Sequence, residues 1–132
     1  MRLIRYDELI IAFGNQQCEK YKASEHHDNM IRQKMRRFGR LLQILKDKHS
    51  DVTDFASIYY PPYSNACIEA INRLAGLSLC GRFYKIPSLA SSLGGLVKEL
   101  GKLLINRYIR KEEYEKKLLA EDFLKVFTEG SS

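Results

Sequence analysis

Residues 28–48 read DNMIRQKMRRFGRLLQILKDK, and this stretch decides the fold. Ile31, Met35, Phe38, Leu42 and Leu45 recur every three or four residues, with Leu41 beside them. That is the period of an α-helix carrying one apolar stripe, and such a stripe needs a core to face. At about 100° per residue, Arg32, Arg36, Arg40 and Gln43 fall on the opposite side, with Lys34 and Arg37 on the flank. One face of the helix suits a core and the other suits an anion. Asp28 or Ser24 is the expected N-cap, because a short side-chain oxygen satisfies the free N–H groups of a first turn.

Helical patterns continue on both sides. Before this stretch, residues 6 to about 24 predict a first helix through Leu9, Ile10, Phe13 and Tyr21, with Gly14 as a weak point in its middle. After it, residues 50–53 form a break, and Thr53 is placed to cap a short helix through Phe55 and Ile58. Pro61-Pro62 should stop that helix, since proline lacks an N–H and clashes with the preceding turn. Ser64 or Asn65 opens a third long helix through Ala66, Ile68, Ala70, Ile71 and Leu74, ending at Gly76. Residues 77–85 read as a loop, with a short extended piece at residues 82–84 as one option. Pro87-Ser88 opens the next helix, where the missing proline N–H is harmless. Its stripe is Leu89, Leu93, Leu96, Leu100, Leu103 and Leu104. Gly94, Gly95 and Gly101 inside it each cost about 1 kcal/mol relative to alanine. Close approach of another helix backbone is the expected offset. A last helix runs from about residue 111 to 128, with Tyr114, Leu118, Phe123, Val126 and Phe127 expected inward. No strand pattern of comparable quality appears. The expectation is an all-α fold of four or five helices in one domain over residues 1–129, with residues 130–132 a tail or cloning scar.

The chain is 132 residues long with a formal charge of +6. Residues 30–48 hold seven basic residues and one acid, and the remainder holds fifteen of each, so the whole excess sits on one segment. Localised positive charge concentrates and steers anionic partners. No apolar run approaches the ~18 residues that would read as a membrane span. Arg5, Asp7 and Glu8 interrupt the apolar N-terminus, which removes a signal-peptide core. Cys18, Cys67 and Cys80 are odd in number and widely spaced, so the reading is a reducing compartment without a disulfide framework.

Catalysis needs a nucleophile, base or metal held in mutual reach. His26 and His27 are adjacent, so on a helix they diverge by about 100° and do not readily share a metal. No cysteine lies at zinc-ligand spacing from them. No phosphate-binding glycine loop follows a strand pattern. Glu112, Glu113, Glu115, Lys116 and Lys117 read as the paired charges of an exposed helix. Tyr59, Tyr60 and Tyr63 around the prolines read as core-edge packing or, alternatively, as a binding platform. The expectation is a non-enzyme without metal or cofactor. Arg32, Arg36 and Arg40 stand at i, i+4 and i+8 over ~12 Å, a spacing that can follow a row of phosphates. The guanidinium fork suits phosphate oxygens, and the competing reading is a solvated arginine face.

Three blocks carry a family resemblance. Residues 28–42, including IRQKMRRFGRLL at 31–42, resemble a stretch of the Crypton-type, mobile-element-derived tyrosine-recombinase-like proteins of animals. YKIPSLA at 84–90, followed by Leu93-Gly94, resembles a second block, and AEDFL at 120–124 a third. The blocks lie in the family's order and span most of the chain. The resemblance implies the helical region ahead of the catalytic domain, a core-binding domain with a SAM-like orthogonal bundle that clamps duplex DNA. The family's catalytic arginine, histidine and tyrosine motifs find no match here, so no catalytic residue carries over. Its upstream zinc-finger cysteines are missing too. The chain is then either an excised domain or a host protein that kept this part alone.

The resulting expectation is a nuclear, sequence-tolerant binder of double-stranded DNA. Arg32, Arg36, Arg37 and Arg40 would contact phosphate, with Lys85 and Lys98 as further contacts. The rival expectation is a protein-interaction or dimerisation module of a domesticated nuclear host factor. Its surface would be Ile58, Tyr59, Tyr60 and Tyr63, or the glycine side of the fourth helix.

Overall fold

A computed structural model of the chain describes residues 7–21, 25–76 and 85–131. Five helices account for most of them: α1 (Glu8–Tyr21), α2 (Glu25–Lys48), α3 (Ser64–Ala75), α4 (Pro87–Arg110) and α5 (Tyr114–Ser131). Two single 3-10 turns, Ala56–Ile58 and Pro61–Tyr63, join α2 to α3. Among the described residues there is no strand. None of the helices is long and apolar enough to cross a membrane.

A relay of aromatic rings holds the helices on one core. Phe13 of α1 meets Phe38 of α2 edge-on at 5.3 Å, and Phe38 meets Phe55 at 5.1 Å. Phe55 touches Tyr59, which meets Phe123 of α5 at 5.0 Å, and Phe123 stacks on Phe127. Edge-to-face rings bring the positive rim of one to the negative face of the next, worth about 0.5–1.5 kcal/mol per pair beyond area burial. The leucine side of α4 (Leu93, Leu96, Leu100, Leu104) closes the core beside them. The Tyr59 hydroxyl donates to the Val97 carbonyl at 2.6 Å, so the one polar atom of this buried ring is satisfied.

Several expectations change in detail. The second helix begins at Glu25, so Asp28 sits inside its first turns and does not cap it, while Ser24 lies outside the described residues. Asp54, not Thr53, supports the first 3-10 turn: its Oδ1 accepts from the Ser57 N–H at 2.9 Å. Pro61-Pro62 opens the second turn, which runs straight into α3; the prolines start a helical segment here, with Tyr60 extended before them. Gly76 closes α3 in the left-handed conformation at φ 69°, as its position implied. Of the loop expected at residues 77–85, all but Lys85 lies outside the described residues, as do the extended piece at 82–84 and Cys80. Cys18 is exposed, and the buried Cys67 thiol is pushed up to about 12 by desolvation.

The last helix buries two of its five expected inward residues, Phe123 and Phe127, and leaves the other three outside. Ala120, Phe123 and Phe127 face the core, whereas Tyr114, Leu118 and Val126 are exposed. At about 100° per residue Tyr114 stands ~180° from Phe123 and Leu118 ~140°, so neither of these two can share its face. The helix also runs on to Ser131. Gly130, expected in a tail, is helical, and a Cβ there would meet Ile68 at 2.8 Å.

The three glycines of α4 divide. A Cβ on Gly101 would lie 2.8 Å from both Tyr59 and Leu124, so side chains, and not the expected helix backbone, occupy the space it leaves. A Cβ on Gly94 or Gly95 would meet nothing within 4 Å. Gly95→Ala should therefore stabilise the fold by about 0.5–1 kcal/mol, through helix propensity and a less flexible unfolded chain. Gly101→Ala should do the reverse, because overpacking costs about 1–3 kcal/mol against that gain. Paired denaturant titrations check the opposite signs; a destabilising Gly95→Ala would show that α4 needs an open surface there.

Candidate nucleic-acid interface

The long apolar stripe of α2 is buried, and this fixes where its basic side chains go. Ile31, Phe38, Leu41, Leu42 and Leu45 are buried, while Arg32, Arg36, Arg40 and Gln43 are exposed. The guanidinium row therefore does stand on the solvent side. Two of the four expected phosphate-contacting arginines have partners within the protein. Arg32 is paired with Asp28 at 3.0 Å, one turn earlier on the same helix. It is not an unneutralised cation, although an exposed i,i+4 pair of this kind holds by only about 0.3–0.5 kcal/mol. Arg37 is half-buried and donates from Nη1 to the Ser92 hydroxyl of α4 at 2.9 Å. Its charge thus has a neutral partner that orients it without cancelling it. Lys34, on the same flank, reaches the Gln17 amide oxygen of α1 at 3.4 Å. Arg36 and Arg40 have no carboxylate partner among the described residues.

Arg36, Arg37 and Arg40 come together at a cleft of about 360 Å³ between α2 and the start of α4. Gln33 and Ser88 complete its polar lining, and Leu74, Ile86, Leu89 and Leu93 its apolar side. Among the described residues no acidic side chain lines it. The cleft exists because α3 and α4 are clamped end to start. The Lys85 N–H donates to the Gly76 carbonyl at 3.0 Å and the Ile86 N–H to the Ala75 carbonyl at 2.9 Å. Gly76 is doubly required at that clamp: its φ is positive, and a Cβ there would strike the Lys85 Cβ at 2.7 Å. The clamp sets Ile86 beside Leu74 and directs the first turn of α4 at the arginines. Pro87 occupies the first position of that turn, and no side chain caps it.

The other two expected contacts lie apart from this cleft. Lys85 is exposed and precedes Ile86, but it does not line the cleft. Lys98 is half-buried on another side of α4, in a groove of about 460 Å³ with Gly94, Gly95, Asn72 and Gly130. Sequence periodicity located the arginines on α2; it missed Ser88, Ser92 and Ile86, which enter from residues fifty or so positions later.

The alternative aromatic surface does not form. Ile58 and Tyr59 are buried, Tyr63 is half-buried against His49 at 5.3 Å, and only Tyr60 of the group is exposed. A different apolar surface is present. Ile109 at the end of α4 and Tyr114, Leu118, Leu119 and Val126 on α5 are all exposed. Among the described residues no three of His, Cys, Asp and Glu gather as a metal site would require.

No family model, curated protein or solved structure matches the chain.

Proposed function

We propose that this chain binds double-stranded nucleic acid through the outer face of α2, as a non-catalytic helical domain of the core-binding type in Crypton-derived proteins. The observation that carries the reading is the convergence of Arg36, Arg37 and Arg40 on one cleft, with no carboxylate lining it among the described residues. Like charges brought together destabilise a fold unless a counter-charge arrives, and a phosphodiester backbone supplies one at regular spacing. Phosphate contacts position a protein without reading bases, so binding should tolerate sequence. A nuclear setting follows from such a partner, and the SAM-like orthogonal arrangement belongs to the same reading.

The test is a titration with one duplex at two salt concentrations. Three neutralised phosphates give a slope of about −2.7 in log affinity against log salt, or roughly fortyfold weaker binding on moving from 50 to 200 mM. Absence of binding at the lower salt, or affinity indifferent to salt, would remove the proposal.

A second reading has its own observation. Tyr114, Leu118, Leu119 and Val126 of α5 and Ile109 at the end of α4 are exposed large apolar side chains, the kind that protein partners cover. In that reading the domain is a protein-interaction module of a nuclear host factor, and α5 carries the contact. Light scattering separates the two: a concentration-independent monomer whose DNA binding survives Leu118→Glu favours α2 as the working face.

A further inference from the structure

The side of a duplex explains the arginines but not the rest of the cleft. A row of backbone phosphates is entirely polar, and it would leave Leu74, Leu89 and the exposed Ile86 facing water or sugar edges. These apolar side chains share the cleft with three guanidinium groups and Ser88. A ligand that fills it must present a concentrated negative charge and an apolar surface side by side. Ile86 is 46% exposed, a large aliphatic side chain held at the mouth by the Ala75 clamp and not by core packing.

The end of a nucleic-acid strand has that composition. Its terminal phosphate is a monoester, carrying about −1.5 to −2 charges near neutral pH, where an internal diester carries one. Beside it lies the unstacked face of the last base, the only large apolar surface that a duplex exposes. Three guanidinium groups in one place favour the more highly charged monoester, and guanidinium forks give paired hydrogen bonds to its oxygens. Arg37 is already oriented by Ser92, so it loses less side-chain freedom on binding than an unrestrained arginine. The first turn of α4, with no side-chain cap, adds to the positive field around Ser88.

We infer that the cleft between α2 and α4 is a seat for a phosphorylated strand end, in which Arg36, Arg37 and Arg40 hold the terminal phosphate and Ile86 and Leu89 cover the terminal base. This rests on the nucleic-acid reading above and narrows it from phosphates in general to an end. A phosphorylated peptide is the competing occupant of such chemistry. Residues 30–48, almost all within α2, hold seven basic residues and one acid, so positive charge extends beyond the three arginines of the cleft, which suits a ligand whose charge continues as well.

The test uses one sequence in three forms: a duplex with phosphorylated ends (5′ and 3′ in separate samples), the same duplex with hydroxyl ends, and a closed dumbbell with no ends. A phosphoserine peptide is titrated beside them. The expected result is affinity for one phosphorylated duplex about tenfold or more above both other DNAs, the scale of one added charge-assisted hydrogen bond. Ile86→Ser, at an exposed position outside the duplex phosphate contacts, should reduce that preference while leaving the dumbbell affinity within a fewfold, whereas Arg40→Gln should weaken binding to all three DNAs and most of all to the phosphorylated one. Equal affinity for all three DNAs overturns the end-seat and leaves the duplex reading standing. No binding to any of them overturns both. Tighter binding of the phosphopeptide than of phosphorylated DNA overturns the end-seat in favour of a protein ligand.

Discussion

Asp7→Asn should destabilise the fold by about 2–4 kcal/mol, a large share of the 5–15 kcal/mol that holds a typical domain together. Asp7 is buried, and its two carboxylate oxygens do different work. Oδ1 accepts the Ile10 N–H at 2.9 Å and so caps α1; Oδ2 accepts the Phe55 N–H at 2.7 Å, 48 residues away. One side chain therefore ends a helix and pins the segment between α2 and α3 onto it. An asparagine keeps one acceptor but turns an N–H₂ toward a backbone N–H, which leaves two buried donors facing each other. Asp7→Ser separates the two tasks. A serine can cap α1 but is too short to reach Phe55, so its loss should fall between wild type and Asp7→Ala. Burial raises the Asp7 pKa above its ordinary value, and the two N–H donors oppose that shift without cancelling it. The unfolded chain then ionises first as pH rises. The group's stabilising contribution is full below about pH 4, the ordinary carboxylate value, and is lost as pH climbs through the raised folded value. The free-energy gap between wild type and Asp7→Asn should narrow over that rise. A gap of under about 0.5 kcal/mol at every pH would mean that the carboxylate does not bridge the two segments.

The same residue shows what a sequence reading can and cannot reach. Local periodicity gave the long helices and the buried stripe of α2, because burial of Phe38 or Leu42 depends on spacing within one element. Gly76 and Pro87 were legible for the same reason, since a left-handed C-cap and a proline first turn are properties of a few neighbouring residues. Asp7 paired with Phe55, and Arg37 paired with Ser92, are contacts between distant segments, and nothing in the local pattern of either residue announces them. The reading of α5 placed Phe123 and Phe127 correctly and failed on Tyr114, Leu118 and Val126 for a related reason. Tyr114, Leu118 and Phe123 are all apolar enough to go inside, and the face that wins is the one that also buries the small Ala120, which the apolar pattern did not single out. Gly101 and Gly95 look alike in sequence; one is hemmed in by Tyr59 and Leu124, and the other borders open space. The basic face of α2 was readable, but its assembly into a cleft depended on the clamp between Gly76 and Lys85.

Replacing Arg36, Arg37 and Arg40 together by glutamine should abolish most duplex binding and lower the salt slope by about 2.7, since each lost phosphate contact removes about 0.9. The effect on affinity is largest at low salt, where counterion release contributes most, and reaches roughly fortyfold less sensitivity between 50 and 200 mM. The change removes three charges from the surface and little from the core, because Arg36 and Arg40 are exposed and Arg37 reaches only one hydroxyl. Circular dichroism and the denaturation midpoint should therefore stay close to wild type. Arg32→Gln is the internal control. Asp28 already screens that guanidinium, so its loss should lower the slope by less than one full contact. Asp28→Asn frees the same guanidinium and should tighten binding by about twofold, in line with the small free energy of an exposed pair. Charge alone does not predict this order, because by net charge Arg32 and Arg36 are equivalent. If the triple variant binds duplex with wild-type affinity and slope, the guanidinium row of α2 is a solvated face and the functional surface lies elsewhere, with the exposed side of α5 next in line.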